Sequence, residues 1–147
     1  MNNNERATGW HDVRTRLSTL WIFIMFNMIF ADILSFMYPG FLGEVMSGRA
    51  GGTVITPGFL LVAAVLTEVP IAMIVLSRVL PHRANRMANI AAGVVTIAYV
   101  AGGSSTYPHG VFFTTIQVAC SLLIMWTAWK WREAQAAPVR VAVGAEG

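Results

Sequence analysis

A chain of 147 residues has room for one domain, and with 56% hydrophobic against 12% charged residues it is too apolar for a soluble one. Ten Lys and Arg against seven Asp and Glu give a net charge of +3, yet the basic residues hug the ends of apolar runs and form no basic domain, which argues against nucleic acid as a partner. The single cysteine, Cys120, excludes an intrachain disulfide, and no metal-ligand spacing is visible, so neither metal nor cofactor is expected.

Residues 1–16 read as a polar cytoplasmic lead-in, with Trp10 placed to rest at headgroup level. The first apolar run, about 17–37, follows Arg14 and Arg16 as a secretion signal would. It is too long for a signal core and lacks a small-x-small cleavage site before Tyr38-Pro39, so it reads as a retained helix. The connection from Pro39 to Gly58 is the longest. In it Phe41, Leu42, Val45 and Met46 share one face of a short interfacial helix, Gly51-Gly52 lets the chain turn back, and Pro57 suits a first helical turn.

The second run spans about 58–77, and the tight basic connector SRVLPHRANR leads to the third, about 87–103. The connector GGSSTYPHG leads to the fourth, about 111–129, which closes in WTAWKW, an interfacial aromatic anchor with a snorkelling Lys130. The tail, 133–147, has little to pack and is expected to be disordered in the cytoplasm.

Each run is near the ~20 residues that a helix needs to cross a hydrocarbon core, and none alternates with period 2. Short connectors make sequential runs antiparallel neighbours. The expected fold is all-α, an antiparallel four-helix transmembrane bundle over 17–132. Nine of the ten basic residues lie on one side of it, with Arg49 alone on the other. By the positive-inside rule this puts both termini and the middle loop in the cytoplasm, as a multi-pass protein of the inner membrane.

At 100° per residue, every run carries a stripe of small and polar side chains of the kind that close packing in lipid uses. The stripes are Asn27, Asp32 and Ser35; Leu61, Ala64, Glu68 and Ala72; Asn85, Asn89, Thr96 and Tyr99; and Thr114, Gln117 and Ser121. They are expected to face one another. Counting ~1.5 Å per residue from the outer ends puts Asp32, Tyr99 and Gln117 about 10 Å down, and Asn27, Glu68 and Thr96 in a deeper layer near ~16 Å. His109 falls at the outer mouth.

An ionisable side chain at the centre of a span costs about 2.5–3.5 kcal/mol, so Asp32 and Glu68 call for a reason. A carboxylic acid kept neutral can donate a hydrogen bond and later give up its proton, which makes Glu68 and Asp32 candidate acid and base groups. Asn27, Thr96, Tyr99 and Gln117 are the candidate ligand contacts around them. Pro70 removes an amide donor from the Leu66 carbonyl and is expected to bend the helix and open space beside Glu68. The competing readings are packing glue, with Glu68 bonded to Asn27, and proton or ion passage. Cys120 reads as a packing residue.

The stretches RLSTLWIFIMFNMIFADILSFMYPGF, LTEVPIAMIVLSRVL and IMWTAWKWR resemble a group of small bacterial four-helix membrane proteins of unassigned function, more distantly similar to the DoxX-like families. The resemblance covers about residues 14–132 and implies that Glu68 stands where DoxX-like proteins carry an acidic residue in the second helix. DoxX-like relatives include membrane subunits of quinone-linked redox enzymes. The cysteines and haem ligands of redox chemistry are missing here, so the resemblance implies a partner subunit at most.

The expected function is the binding of an apolar or lipid-like small molecule in a cavity lined by buried carboxyls, as a subunit of a membrane complex or a homo-oligomer in the bilayer. The alternative is an intramembrane acid–base enzyme, a cyclase, isomerase or epoxide-opening enzyme acting on a terpenoid or quinone-like substrate through Glu68 and Asp32. A transporter component is a third reading.

Overall fold

The computed structural model describes the backbone of residues 3–103 and 107–131, with side chains from Val13 onward. The tail 133–147 lies outside the described residues, as does the side chain of Trp10. The protein is mostly helical: α1 Asn3–Met37, α2 Phe41–Met46, α3 Pro57–Val79, α4 His82–Gly102 and α5 Pro108–Lys130, with strands β1 Arg49–Ala50 and β2 Thr53–Val54 between α2 and α3.

The helix starts follow local chemistry. Thr56 caps α3 by accepting a hydrogen bond from Phe59 N at 3.1 Å, with Pro57 preset for the first turn. Pro108 opens α5 in the same way, and α4 begins directly after Pro81, five residues before the expected start of the third run. α1 begins at Asn3, so the segment read as a polar lead-in is continuous with the first helix. No proline interrupts it.

In the long connection, α2 carries the four apolar residues expected to share a helix, and Phe36 meets Phe41 edge-on with ring centroids 5.7 Å apart. β1 and β2 pair as a two-residue hairpin through Gly51 (φ 55°) and Gly52 (φ 81°), both left-handed as a type I′ turn requires. Glu44 accepts from Gly52 N at 2.9 Å and ties the hairpin to α2.

Each long helix packs on two others: α1 on α3 and α5, and α4 on α3 and α5. The contacts set the directions. Arg14 meets Arg78 while Ser18 meets Ile74, so α1 and α3 run oppositely; Thr67 meets Tyr99 while Ser77 meets Asn89, so α3 and α4 do too. Between them lies a core of Leu17, Trp21, Ile24, Met73, Ala92, Ile124 and Trp131. A Cβ on Gly93 would come within 2.6 Å of Met125 Cγ, so glycine lets α4 approach α5 closely.

Three helical stretches, Val13–Met37, Pro57–Val79 and Pro108–Lys130, are long and apolar enough to cross a membrane. α4, which contains the third expected span, is not among them. The reason is in its sequence: Arg83 and Arg86 in its first turns lower its hydropathy, as do His82, Asn85, Asn89 and Thr96, which are buried, while Met87, Val94 and Val95 are exposed. α3 continues as helix through the buried Pro70.

Candidate functional site

The six residues expected to line one cavity do not share it. Asn27, Thr96 and Gln117 are buried on the inward faces of α1, α4 and α5. Asn27 Nδ2 donates to Phe23 O one turn back at 2.8 Å, so the expected bond to Glu68 is not formed. Thr96 Oγ1 is buried with no partner among the described residues. Tyr99 is half-buried, its hydroxyl 3.1 Å from Thr67 Oγ1.

Both carboxyls are exposed. Glu68 stands on the outward face of α3 with Leu61, Val65 and Val75, and the buried face of that helix is Pro70, Met73 and Ser77. The small residues Ala64 and Ala72 pointed to the wrong face, since small side chains serve either a helix contact or an undemanding lipid surface. The α1–α3 register places Asp32 about 12 Å further along the helix axis than Glu68, eight residues at ~1.5 Å each. Acid–base work by the two on one small substrate does not fit that separation.

The polar side chains that do converge form a buried network joining three helices. Asn89 Oδ1 accepts from Trp21 Nε1 at 2.8 Å and from Ser77 Oγ at 3.2 Å. Asn89 Nδ2 reaches Asn85 Oδ1 at 2.6 Å, and Asn85 Nδ2 donates to Ser77 O at 2.7 Å. Every amide group here has a partner, as a buried polar group needs in a medium without water. Asn85 and Asn89 stood on the expected inward stripe; Trp21 and Ser77 did not. The signal for Trp21 was its indole N–H, which demands an acceptor wherever the ring is buried.

The ends are closed by rings. His82 Nε2 lies 3.2 Å from Trp131 O, with its ring edge-on to the indole at 4.6 Å. At the opposite end Tyr38 stacks on Tyr107 at 3.9 Å, and His109, at the mouth as expected, approaches Ser35 Oγ at 3.5 Å.

A surface concavity is found among the described residues. It is an open groove of about 620 Å³ between α4 and α5, walled by Ile90, Ala119, Leu122, Leu123, Met125, Trp126 and Trp129. Arg86 sits 5.3 Å over the Trp129 ring and Lys130 sits 4.4 Å over the Trp126 ring. The WTAWKW segment therefore does more than anchor: two of its indoles form a groove wall. None of the six expected site residues lines this groove. Among the described residues no group of three or more His, Cys, Asp or Glu is placed to hold a metal.

Long apolar helices packed around a buried polar network define a multi-pass helical membrane protein. The chain belongs to DUF6326, a family of unknown function whose model matches residues 6–138. That match agrees with an unassigned-function family and carries no sign of kinship to DoxX-like proteins or of a bacterial source. No curated protein and no solved structure matches the chain.

Proposed function

We propose that the protein binds an apolar or lipid-like molecule at the lipid-facing surface of an antiparallel four-helix transmembrane bundle. The open groove between α4 and α5 supports this reading: its walls are aliphatic and indole surface that an apolar molecule lying against the bundle would cover. In this reading α4 crosses the membrane as well, because Asn85 and Asn89 are hydrogen-bonded inside and its outer face includes Met87, Val94 and Val95. The excess of Arg and Lys on one side supports a reading with both termini in the cytoplasm and the bundle in the inner membrane.

The test is to fill the groove. Ala119→Phe and Leu122→Phe are expected to cut labelling of α5 by an apolar diazirine probe, and retention of co-purified lipid-like molecules, by about tenfold, the loss that ~1.4 kcal/mol represents. Unchanged labelling in folded variants discards the groove.

A second reading rests on Glu68. An exposed carboxyl on a membrane helix is costly in lipid, and Ala64 and Ala72 one turn to either side allow another helix to approach. In this reading the protein is a membrane-complex subunit, or a homo-oligomer, that docks through the outer face of α3 with Glu68 as its polar contact. Cross-linking from Ala64→Cys and Ala72→Cys in membranes tests it; products restricted to lipid count against it.

A further inference from the structure

We infer that the seam between the Arg14 end of α1 and the Arg78 end of α3 is an anion site for a phosphate group, filled in the membrane by an anionic phospholipid headgroup. Arg14 Nη1 donates to the backbone carbonyl of Arg78 at 3.3 Å. Arg78 Nε donates to Ser18 Oγ at 2.9 Å, and that hydroxyl in turn donates to Ile74 O at 2.8 Å. Two guanidinium groups from two helices are thus held on one seam.

Neither has a carboxylate partner among the described residues. The described acidic side chains are Asp32, Glu44 and Glu68, and the one nearest along α3, Glu68, is ten residues from Arg78, about 15 Å of helix. Arg14 Nε is buried with no hydrogen-bond partner. A guanidinium has five N–H donors, and the contacts above use one from Arg14 and one from Arg78. Two other described cations are engaged by indole rings, Arg86 over Trp129 and Lys130 over Trp126.

Holding two like charges together with donors to spare is unfavourable until an anion bridges them. Phosphate suits the geometry, because its oxygens accept from guanidinium forks in pairs. Arg14 and Arg78 also lie at the ends of the apolar stretches Val13–Met37 and Pro57–Val79, and basic pockets between membrane helices take phospholipid headgroups.

The full chain in neutral detergent decides this, with lipid retention read by native mass spectrometry and thermal protection read in parallel. Phosphatidylglycerol is expected to be retained about thirty-fold better than phosphatidylcholine, which follows from two arginines at the usual surface value. Arg14→Gln and Arg78→Gln should each lower that preference about fivefold. Arg16→Gln removes the same charge from an exposed position turned about 200° round α1 and should leave the preference intact. Ser18→Ala removes no charge but frees Arg78 Nε; it keeps the test available if the arginine variants fail to fold, and it should weaken selectivity too.

Protection by millimolar inorganic phosphate that Arg14→Gln abolishes, without lipid preference, supports the anion site and assigns it to a soluble phosphate. Equal losses in Arg16→Gln and Arg14→Gln, or no response to either phosphate source, overturn the inference.

Discussion

The indole Nε1 of Trp21 donates to Asn89 Oδ1 across 2.8 Å, and it does so between α1 and α4, two helices that share neighbours but do not pack on each other. A single side-chain bond therefore spans the interior and fixes the depth of α4 relative to α1. Removing only the donor, with Trp21→Phe, is expected to destabilise the folded protein by about 1 kcal/mol, the scale of a hydrogen bond inside a membrane protein. Asn89→Ala should cost more, about 2–3 kcal/mol, because it strands Trp21, Ser77 and Asn85 together. Reversible unfolding in mixed micelles measures both; equal effects argue against a shared acceptor.

Thr96 gives the opposite sign. Its hydroxyl is buried without a partner, so Thr96→Val replaces an unsatisfied group with a methyl of like shape. Stability in the same assay should be unchanged or higher by up to about 1 kcal/mol. A clear loss shows that an unseen water or ligand bonds to the hydroxyl.

At Gly93 the neighbour of an added Cβ is Met125, a flexible side chain. Gly93→Ala should cost about 1 kcal/mol or less, and Gly93→Leu about 1–3 kcal/mol or more, since the larger side chain must push α4 from α5. Thermal unfolding orders the two; equal midpoints mean that the helices are not in close approach.

Glu68 is exposed on α3. Glu68→Leu should improve insertion of that helix by roughly 2–4 kcal/mol in a translocon assay and leave the isolated bundle no less stable. Destabilisation of the bundle shows that the carboxyl bonds inward.

If α4 crosses the membrane, cysteines replacing Thr53 and Gly103 are labelled by an impermeant maleimide from one side, and a cysteine replacing Arg83 from the other, in a Cys120→Ser background. Labelling of Gly103→Cys and Arg83→Cys from the same side restricts the crossings to the three long apolar stretches.

Much of the architecture was legible because membrane helices announce themselves by length and apolarity, and because Pro57, Pro108 and Gly51-Gly52 mark boundaries. The inward stripes of α4 and α5, and Asn27 on α1, were legible because Asn27, Asn89, Thr96 and Gln117 are too polar for lipid, whereas Asp32, placed on the same α1 stripe, is exposed. α3 was not legible. Its one acidic residue, Glu68, was weighed as an interior group, while the interior face is marked by Met73 and Ser77, residues that carry no strong signal. Nor did periodicity expose Trp21 as a hydrogen-bond donor, or the groove beside Trp126 and Trp129, since both depend on which helices become neighbours. That is a property of packing, absent from any single run of sequence.

The bond between Trp21 and Asn89 also has a timetable. The two residues are 68 positions apart, so during synthesis the indole emerges long before its acceptor. Until α4 arrives, a nascent chain holding α1 and α3 carries an unmet N–H in the hydrocarbon, a state the finished protein never shows. Completion of the bundle is thereby recorded by one atom pair, and a chain stopped short of residue 89 remains chemically distinguishable from one that has passed it.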